Sequence, residues 1–365
     1  MIPSSQNRIR SIDILRGFNM LMIVLADQFF SKLNKGVGSD FTASLARQFT
    51  HPDWLGFRFY DIIMPLFLFL VGAVIPFSIS KYTQNVINKT PLFLKLTRRF
   101  FILFVLGWIV QGNLLDFDLS TFKIFSNTLQ AIAVGYVFSA IAYVYLKPAQ
   151  RHLLFATCLF VYALLLTLPI IPGIGRSSLT PDANFALYVD QLIFGSFDDG
   201  KQYTWFLSGL GFTATTLSGL FAGEIIKNQK DKIKVLKFLL IYGTVALFMG
   251  LLGNTFHPIV KKIWSSTFVL VSSGICYFLM AAFYWIIDIK QKFKWAFFLK
   301  VIGMNAITAY VITHVFPFPK IAGFILYGLA PYIGKFYDWV TVIGGFGILY
   351  LLLWYMYKNK TFIKV

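Results

Sequence analysis

The chain has 365 residues, of which 57% are hydrophobic and 13% are charged, and its mean hydropathy is +0.69. This composition excludes an ordinary soluble protein, in which charged residues make up about 25%. A formal net charge of +18 would suit nucleic-acid binding, but the lysines and arginines lie in short clusters between apolar runs. We therefore interpret the charge as a topology signal of a membrane protein and expect no nucleic-acid partner.

Apolar runs of membrane-spanning length recur along the whole chain. They predict an all-α polytopic membrane protein, a single integral domain over residues 1–365 with ten transmembrane helices. The predicted spans are 14–30, 59–79, 98–114, 127–146, 152–172, 204–226, 238–254, 263–287, 298–318 and 338–357. The segment 320–334 is short and rich in glycine and proline, which favours a re-entrant or interfacial piece; if it crosses, the count becomes eleven.

The distribution of charge predicts the orientation of these helices. Lysines and arginines concentrate in the two tails and in the loops that follow even-numbered spans, such as 227–237, whereas most acidic residues lie in the other loops. By the positive-inside rule both termini are cytoplasmic, and the loops 31–58 and 173–203 lie outside. A bacterial inner membrane is the expected location, with the bilayer itself as a partner.

Two local features bear on processing and redox state. The first span follows a basic segment, as a signal peptide does, but no small-residue cleavage site follows it, so we expect a retained anchor. Cys158 and Cys276 both lie inside apolar spans. They are typical of small core residues rather than of a disulfide.

The stretch HPDWLGFRFYDIIMPLFLFLVG (51–72) is the most informative one in the chain. It places His51, Trp54 and Asp61 at a membrane boundary, where ionisable groups are costly and therefore indicate function. A neutral imidazole at His51 is suited to take a proton from an amine or hydroxyl, or to attack an acyl thioester itself. Asp61 and Trp54 are predicted to bind substrate, because carboxylates accept several hydrogen bonds from a sugar or an amine.

Asp27 lies in the first predicted span, near its outer end. An unpartnered carboxylate there is expensive, so it requires a partner. One interpretation is an ion pair with a basic residue of another helix. The other is that Asp27 orients or assists His51, or holds the substrate, and we adopt the catalytic role beside His51 as the prediction.

A second block, NTFHPIVKKIWSSTFVL (254–270), combines four polar side chains just before a span. Asn254 and His257 are predicted to bind substrate. Lys261 and Lys262 are adjacent basic residues on the predicted outer side, against the charge trend, which suggests an anionic ligand such as a CoA phosphate or a sugar acid. Binding to lipid head groups is an equally good interpretation.

A third block, VIGMNAITAYVITHVF (301–316), buries Asn305 and His314 in an apolar helix. Asn305 is predicted to contact ligand, with helix packing as the alternative, whereas a structural role is favoured for His314. The chain has no H-E-x-x-H motif, no Cys/His cluster with zinc spacing, no Walker loop and no G-x-S-x-G elbow. No metal is expected.

Five blocks in the same order resemble one family. They are RIRSIDILRGFNMLMIVL (8–25), HPDWLGFRFYDIIMPLFLFLVG, NTLQAIAVGY (127–136), HPIVKKIWSSTFVL and GMNAITAY. Together they are similar to the membrane-embedded heparan-α-glucosaminide N-acetyltransferases and their bacterial NagX-like, or DUF5009, relatives.

This resemblance implies an enzyme that transfers acetyl from cytoplasmic acetyl-CoA to the amine of a glucosamine on the far side of the membrane. It implies that His51 is the catalytic histidine, and that the enzyme can form a homodimer. Asp27 falls where the human lysosomal enzyme has an active-site asparagine, so the acceptor can differ.

Two alternatives remain at this stage. Polar residues inside spans also mark transport pathways, so an amino-sugar permease is one of them. The other is an O-acyltransferase acting on envelope polysaccharide, which would use the same chemistry on a different acceptor.

Overall fold

The computed structural model describes residues 9–83, 88–112, 114, 120–200 and 203–363. Arg8 and Lys364, which contribute to the charge of the tails, and residue 113 of the third predicted span lie outside this part. The α-helices are Arg10–Leu21, Asp27–Val37, Asp40–Gln48, Ile63–Ile79, Thr90–Gln111, Thr128–Tyr145, Pro148–Thr167, Phe185–Phe194, Gly209–Asn228, Lys232–Gly253, Ser266–Tyr284, Phe297–Met304, Ala306–Val315, Phe318–Ile325, Ala330–Ile333 and Tyr337–Lys358. Within the described residues, β structure consists of one small antiparallel hairpin, Ile170–Ile171 with Gly175–Arg176, and an isolated bridge.

In the described part of the chain, eight helices are long and apolar enough to cross a bilayer. They are Arg10–Val37, Phe59–Tyr82, Thr128–Tyr145, Pro148–Thr167, Gly209–Asn228, Lys232–Gly253, Ser266–Ile289 and Tyr327–Lys358. The pair Lys294–Met304 and Ala306–Val315, bent by 65°, makes a ninth if it is one broken span. The predicted all-α polytopic membrane fold is confirmed.

The remaining predicted span, 98–114, falls on the 22-residue helix Thr90–Gln111. Its first half carries three basic residues, Lys95, Arg98 and Arg99, and it is not one of the eight helices named above. The segment 320–334 breaks into short helical pieces, with Phe318–Ile325 followed by Ala330–Ile333, ahead of the long helix Tyr337–Lys358. Short pieces of this kind fit the interfacial interpretation of this segment.

Small residues bring the central helices into close contact. A Cβ atom added to Gly219 would lie 1.9 Å from the carbonyl oxygen of Phe69, and one added to Gly223 would lie 2.2 Å from that of Ala73. The hydrophobic effect does not drive helices together inside lipid. Van der Waals contact between backbones that approach closely at small residues therefore supplies much of the attraction. This packing holds the helix Phe59–Tyr82 firmly against Gly209–Asn228, and Asp61 lies in the first turn of the former helix.

The first span packs in the same way against the first half of the broken span. A Cβ atom on Gly17 would lie 1.8 Å from the Leu299 carbonyl oxygen, and one on Gly303 would lie 2.2 Å from that of Asp13. Beyond this contact the first span passes through a π-helical turn, Met22–Ala26, directly before Asp27. Such turns shift the side chains that follow them around the helix and are frequent at functional sites.

Candidate active site

The segment that carries His51 connects the helix Asp40–Gln48 to the helix Phe59–Tyr82. The guanidinium group of Arg58 donates to the His51 carbonyl oxygen at 3.0 Å and to the Thr50 hydroxyl at 2.6 Å. Pro52 follows His51 and restricts its backbone to extended conformations. These contacts fix the backbone of His51 ahead of the helix Phe59–Tyr82.

The carboxylate of Asp61 orients the His51 ring. Asp61 Oδ1 lies 2.6 Å from His51 Nδ1, and Asp61 Oδ2 accepts a hydrogen bond from the Arg58 backbone N–H at 2.8 Å. The Asp61 side chain has no solvent exposure, whereas that of His51 is 35% exposed. Because a carboxylate only accepts, Nδ1 of His51 is the donor in this contact, and Nε2 is the ring nitrogen left to act as an acceptor.

A short backbone pairing brings the block around residue 260 to this histidine. Leu55 and Val260 form an antiparallel bridge, and the Gly56 N–H donates to the Ile259 carbonyl oxygen at 3.2 Å. Gly56 has a φ of +113°, a conformation that L side chains rarely adopt. The glycine of the W-x-G motif is therefore required by the turn that aligns the two blocks.

This pairing places the Lys261 side chain next to His51. Its Nζ lies 2.9 Å from each ring nitrogen of His51 and 3.3 Å from Asp61 Oδ1. The lysine side chain is 9% exposed. Burial lowers the pKa of Lys261 to about 8, although the neighbouring Asp61 carboxylate acts in the opposite direction.

A cavity of about 570 Å³ opens beside this cluster. Polar and aromatic side chains line one part of it, and apolar side chains line the rest. The polar and aromatic lining includes Gln28, His51, Tyr60, Ser126, Asn127, Thr128, Asp199, Tyr203, Trp205, Lys261, Tyr310, Thr313 and His314. A space of this size with convergent polar groups is typical of a small-molecule site, and aromatic rings suit the faces of sugars.

A second histidine and two tyrosines continue the polar wall from His51. The rings of His51 and Tyr60 lie 5.1 Å apart, and those of Tyr310 and His314 lie 4.4 Å apart. The Tyr310 phenol is hydrogen-bonded with the side chains of Asn127 and Thr128. His314 Nδ1–H donates to the Tyr310 carbonyl oxygen at 2.7 Å, and His314 also lines the cavity.

The arrangement can perform proton transfer or nucleophilic attack at His51 Nε2. A buried carboxylate holds the ring in one tautomer and stabilises the imidazolium that forms when Nε2 takes a proton. Within the described residues, no group of three His, Cys, Asp or Glu side chains is placed to hold a metal ion.

Comparison with known proteins identifies the family. The family model DUF5009, a domain of unknown function, matches residues 8–193. The chain belongs to the DUF5009 family. It is 24% identical over 379 aligned residues to the heparan-alpha-glucosaminide N-acetyltransferase of Mus musculus, an alignment that covers 86% of this chain and 55% of the mouse protein. It is 25% identical over 366 residues to the Homo sapiens protein of the same name, covering 85% and 53% respectively. The chain thus spans about half the length of the curated relatives it matches.

In this DUF5009 chain, Asp27 lies close enough to His51 and Tyr60 to interact with them electrostatically. Its side chain is exposed. Among the residues that the structure describes, its carboxylate makes no hydrogen bond and no ion pair, so the paired alternative finds no support there. A catalytic role for Asp27 remains a prediction.

Trp54 and Lys262 lie next to the cluster rather than in the cavity lining. The indole N–H of Trp54 donates to the Leu179 carbonyl oxygen at 2.7 Å, which anchors the segment 51–58 to the loop 173–203. The Lys262 ammonium group lies 5.9 Å from the Trp54 ring centre and 5.8 Å from that of Tyr203. Substrate binding by Trp54 and cofactor binding by Lys262 remain predictions.

The other predicted substrate-binding residues lie outside the lining of this cavity. Asn254 Oδ1 accepts from the Ile259 N–H at 2.9 Å and so closes the turn before Val260. Burial lowers the pKa of His257 to about 4, which keeps its ring neutral. Asn305 is buried at the break in the ninth span, where its side-chain amide donates to the Thr361 carbonyl oxygen at 3.3 Å.

Several residues of the site were not singled out from the sequence. Tyr310 and Asn127 belong to the blocks used for the family resemblance, so their position there was the available signal. Asp190 was visible only as an acidic residue of a predicted outer loop, yet it accepts from the backbone N–H groups of Trp205 and Phe206 at 2.6 and 3.0 Å. This contact positions Trp205 in the cavity wall, and burial raises the pKa of Asp190 to about 7.

Proposed function

We propose that this protein is a membrane acetyltransferase that moves the acetyl group of acetyl-CoA to the amine of a glucosamine-type sugar. The observation that carries the proposal is the placement of His51 between Asp61 and Lys261 at the wall of a cavity, in a chain similar to heparan-alpha-glucosaminide N-acetyltransferases. Acetyl-CoA and the sugar are both substrates. Neither requires a metal in this scheme.

In the proposed reaction, His51 Nε2 acts on the proton of the acceptor. The amine nitrogen attacks the thioester carbonyl carbon, its proton passes to Nε2, and the C–S bond breaks to release CoA. An acyl-histidine route is the second possibility, in which Nε2 attacks the thioester first and then passes the acetyl group to the amine. Both routes need the tautomer that Asp61 holds.

The predicted topology gives each substrate its own entrance. The basic end of the bundle faces the cytoplasm and suits the anionic nucleotide of acetyl-CoA, whose pantetheine arm is long enough to enter a helix bundle. The His51 end faces outward, where a sugar can approach the cavity. Only the acetyl group then has to pass from one side of the membrane to the other. We propose a bacterial inner membrane as the location.

An amino-sugar permease is the competing function, and one observation favours it. Broken spans are typical of secondary transporters, and the pair Lys294–Met304 and Ala306–Val315 is bent by 65°. In the described residues this is the one bent pair that meets the length and hydropathy test, whereas transporter repeats usually break two corresponding helices. An O-acyltransferase would use the same cavity with a hydroxyl acceptor.

The decisive experiment is CoA release by the purified protein with acetyl-CoA and a panel of sugars that carry amine or hydroxyl acceptors. Acceptor-dependent release that disappears in His51→Ala supports the proposal, and the preferred acceptor separates N-transfer from O-transfer. His152→Ala is the matched control, because His152 stacks on Phe221 with ring centres 4.0 Å apart and does not line the cavity. If no acceptor gives CoA release and the protein takes up sugar in proteoliposomes, the acetyltransferase proposal is wrong and the permease is the function.

A further inference from the structure

Lys261 is a buried lysine beside the proposed base His51, and neither route of the proposed reaction uses it. Lys261 is 9% exposed, and removing an ammonium ion from water costs several kcal/mol unless its donors are well used. Asp61 is the one acidic side chain with which its Nζ forms an ion pair in the described residues, at 3.3 Å. Asp61 already accepts from His51 and from the Arg58 backbone N–H. A structural ion pair alone therefore gives little reason for a charge in this position.

The geometry of the ammonium group leaves one donor for a ligand. An ammonium group has three N–H donors, and in the described residues Asp61 and His51 are the side chains that Nζ contacts. Lys261 also lines the cavity. One N–H donor of the ammonium group is therefore left for a ligand in the cavity.

The backbone holds Lys261 rigidly in this position. The Ser265 hydroxyl accepts from the Val260 N–H at 3.0 Å and donates to the Pro258 carbonyl oxygen at 3.0 Å. The Ser265 N–H donates to the Val260 carbonyl oxygen at 3.0 Å. With the Leu55–Val260 bridge on its other side, the turn presents the lysine in a fixed direction, as preorganised catalysis requires.

We propose that Lys261 is a catalytic residue whose ammonium group binds the acyl carbonyl oxygen and stabilises the negative charge that develops there. This inference rests on the proposed function. Attack by the amine turns the thioester carbonyl oxygen into an oxyanion next to the nitrogen that His51 serves. Among the described residues that line the cavity, Lys261 is the only lysine or arginine.

The step balances without any further reactant. The amine nitrogen forms a bond to the carbonyl carbon, its proton moves to His51 Nε2, and the oxygen gains the charge that Lys261 stabilises without giving up a proton. When the intermediate collapses, the C=O bond is restored, the C–S bond breaks, and the sulfur leaves as the thiolate and recovers the proton from His51. Burial lowers the pKa of Lys261 to about 8, so the group is still charged at neutral pH.

This role differs measurably from the one predicted from the sequence, which was binding an anionic group such as a CoA phosphate. A lysine that binds a CoA phosphate makes the same contact in the ground state and in the transition state. Loss of that lysine therefore raises KM for acetyl-CoA and leaves kcat unchanged. An oxyanion donor acts mainly in the transition state, so its loss lowers kcat by about 10²–10³-fold. Phosphate binding therefore predicts a change in KM, whereas oxyanion stabilisation predicts a change in kcat.

The test compares Lys261→Met and Lys261→Arg with the wild type in steady-state kinetics. We expect Lys261→Met to lower kcat by about 10²–10³-fold with KM for acetyl-CoA within a few-fold, and Lys261→Arg to recover part of the loss. Lys335→Met is the control, because it removes the same charge from an exposed lysine that does not line the cavity, and it should retain kcat. A large rise in KM with kcat retained would overturn the inference in favour of anion binding.

A binding measurement separates the role in catalysis from a role in folding. Two non-hydrolysable CoA analogues are compared, a methyl ketone and a trifluoromethyl ketone, because only the latter is held readily as a tetrahedral adduct. The wild type should prefer the trifluoromethyl ketone, and Lys261→Met should lose about tenfold or more of this preference while still binding the methyl ketone. Equal loss for both analogues would overturn the inference.

The outcomes also distinguish this inference from the proposed function. A wild-type protein that turns over acetyl-CoA at the same rate as Lys261→Met would overturn the inference alone. A wild-type protein that releases no CoA and binds neither analogue would overturn both.

Discussion

Leu55 pairs with Val260 across an isolated antiparallel bridge, and this contact determines where Lys261 stands relative to His51. The two site residues are 210 positions apart in the chain, yet Lys261 Nζ lies 2.9 Å from the His51 ring nitrogens. Gly56, with its φ of +113°, makes the turn that allows the pairing. The chemistry of the site thus depends on a backbone contact made by residues that take no part in the reaction.

Gly56→Ala should impair the site through this turn. A side chain at this φ is strained by about 1–3 kcal/mol, and relief of the strain would separate Leu55 from Val260. We expect a lower apparent Tm in detergent and a loss of acetyl transfer that exceeds the loss of folded protein. Gly328→Ala is the control, because Gly328 has no positive φ and open space where a Cβ would lie. Equal, small effects of the two substitutions would show that the turn tolerates a side chain.

Asp61→Asn should lower kcat by about 10²–10⁴-fold. The amide keeps the shape of the carboxylate but can offer an N–H to His51 Nδ1, which favours the tautomer with Nε2 protonated, and it no longer stabilises an imidazolium. Size-exclusion profiles should match the wild type, and CoA release should be measured with both substrates saturating. Retention of kcat within about threefold would mean that Asp61 does not orient the base.

The pH dependence of turnover follows from the pKa of Lys261 at about 8. The group is charged below this pH and neutral above it, so kcat should fall as the pH rises through about 8 if the ammonium form is required. Lys261→Arg keeps its charge, and its residual activity should persist to higher pH. The rates are corrected for spontaneous thioester hydrolysis in the absence of protein. A wild-type profile that stays flat to pH 10 would contradict the requirement for a charged Lys261.

Cysteine labelling in intact cells would test the predicted orientation. Both native cysteines are buried, so a single introduced cysteine is the main target of a membrane-impermeant maleimide. Asp182→Cys, on the exposed loop 173–203, should react from outside, whereas Lys230→Cys should react only after the membrane is opened. The reverse pattern would place both termini on the outside and would invert the proposed direction of acetyl transfer.

The sequence alone was sufficient for the membrane fold. Lipid cannot satisfy backbone hydrogen bonds, so a long apolar run has to form a helix. In the described residues, eight of the ten predicted spans fall on helices that can cross a bilayer, the span 298–318 falls on the bent pair, and 98–114 overlaps the helix Thr90–Gln111. The H-x-x-W-x-G block also indicated that His51 and Asp61 lie at the same membrane boundary, since the two are only ten residues apart. Their spacing did not predict the hydrogen bond between Asp61 and His51, nor the tautomer of His51 that this hydrogen bond favours.

The tertiary structure decided how the distant blocks meet. Periodicity and local composition report which residues face lipid and which face the bundle, but they carry no information about which loops pair across more than 200 positions. From sequence, Lys261 and Lys262 form a basic pair of similar residues; the fold buries Lys261 against Asp61 and His51 and leaves Lys262 beside aromatic rings. Likewise Tyr310, Asn127 and Trp205 share a cavity only because three separate segments end at the same face of the bundle. Local physics thus determined the helices, and tertiary contacts such as the Leu55–Val260 bridge determined the site.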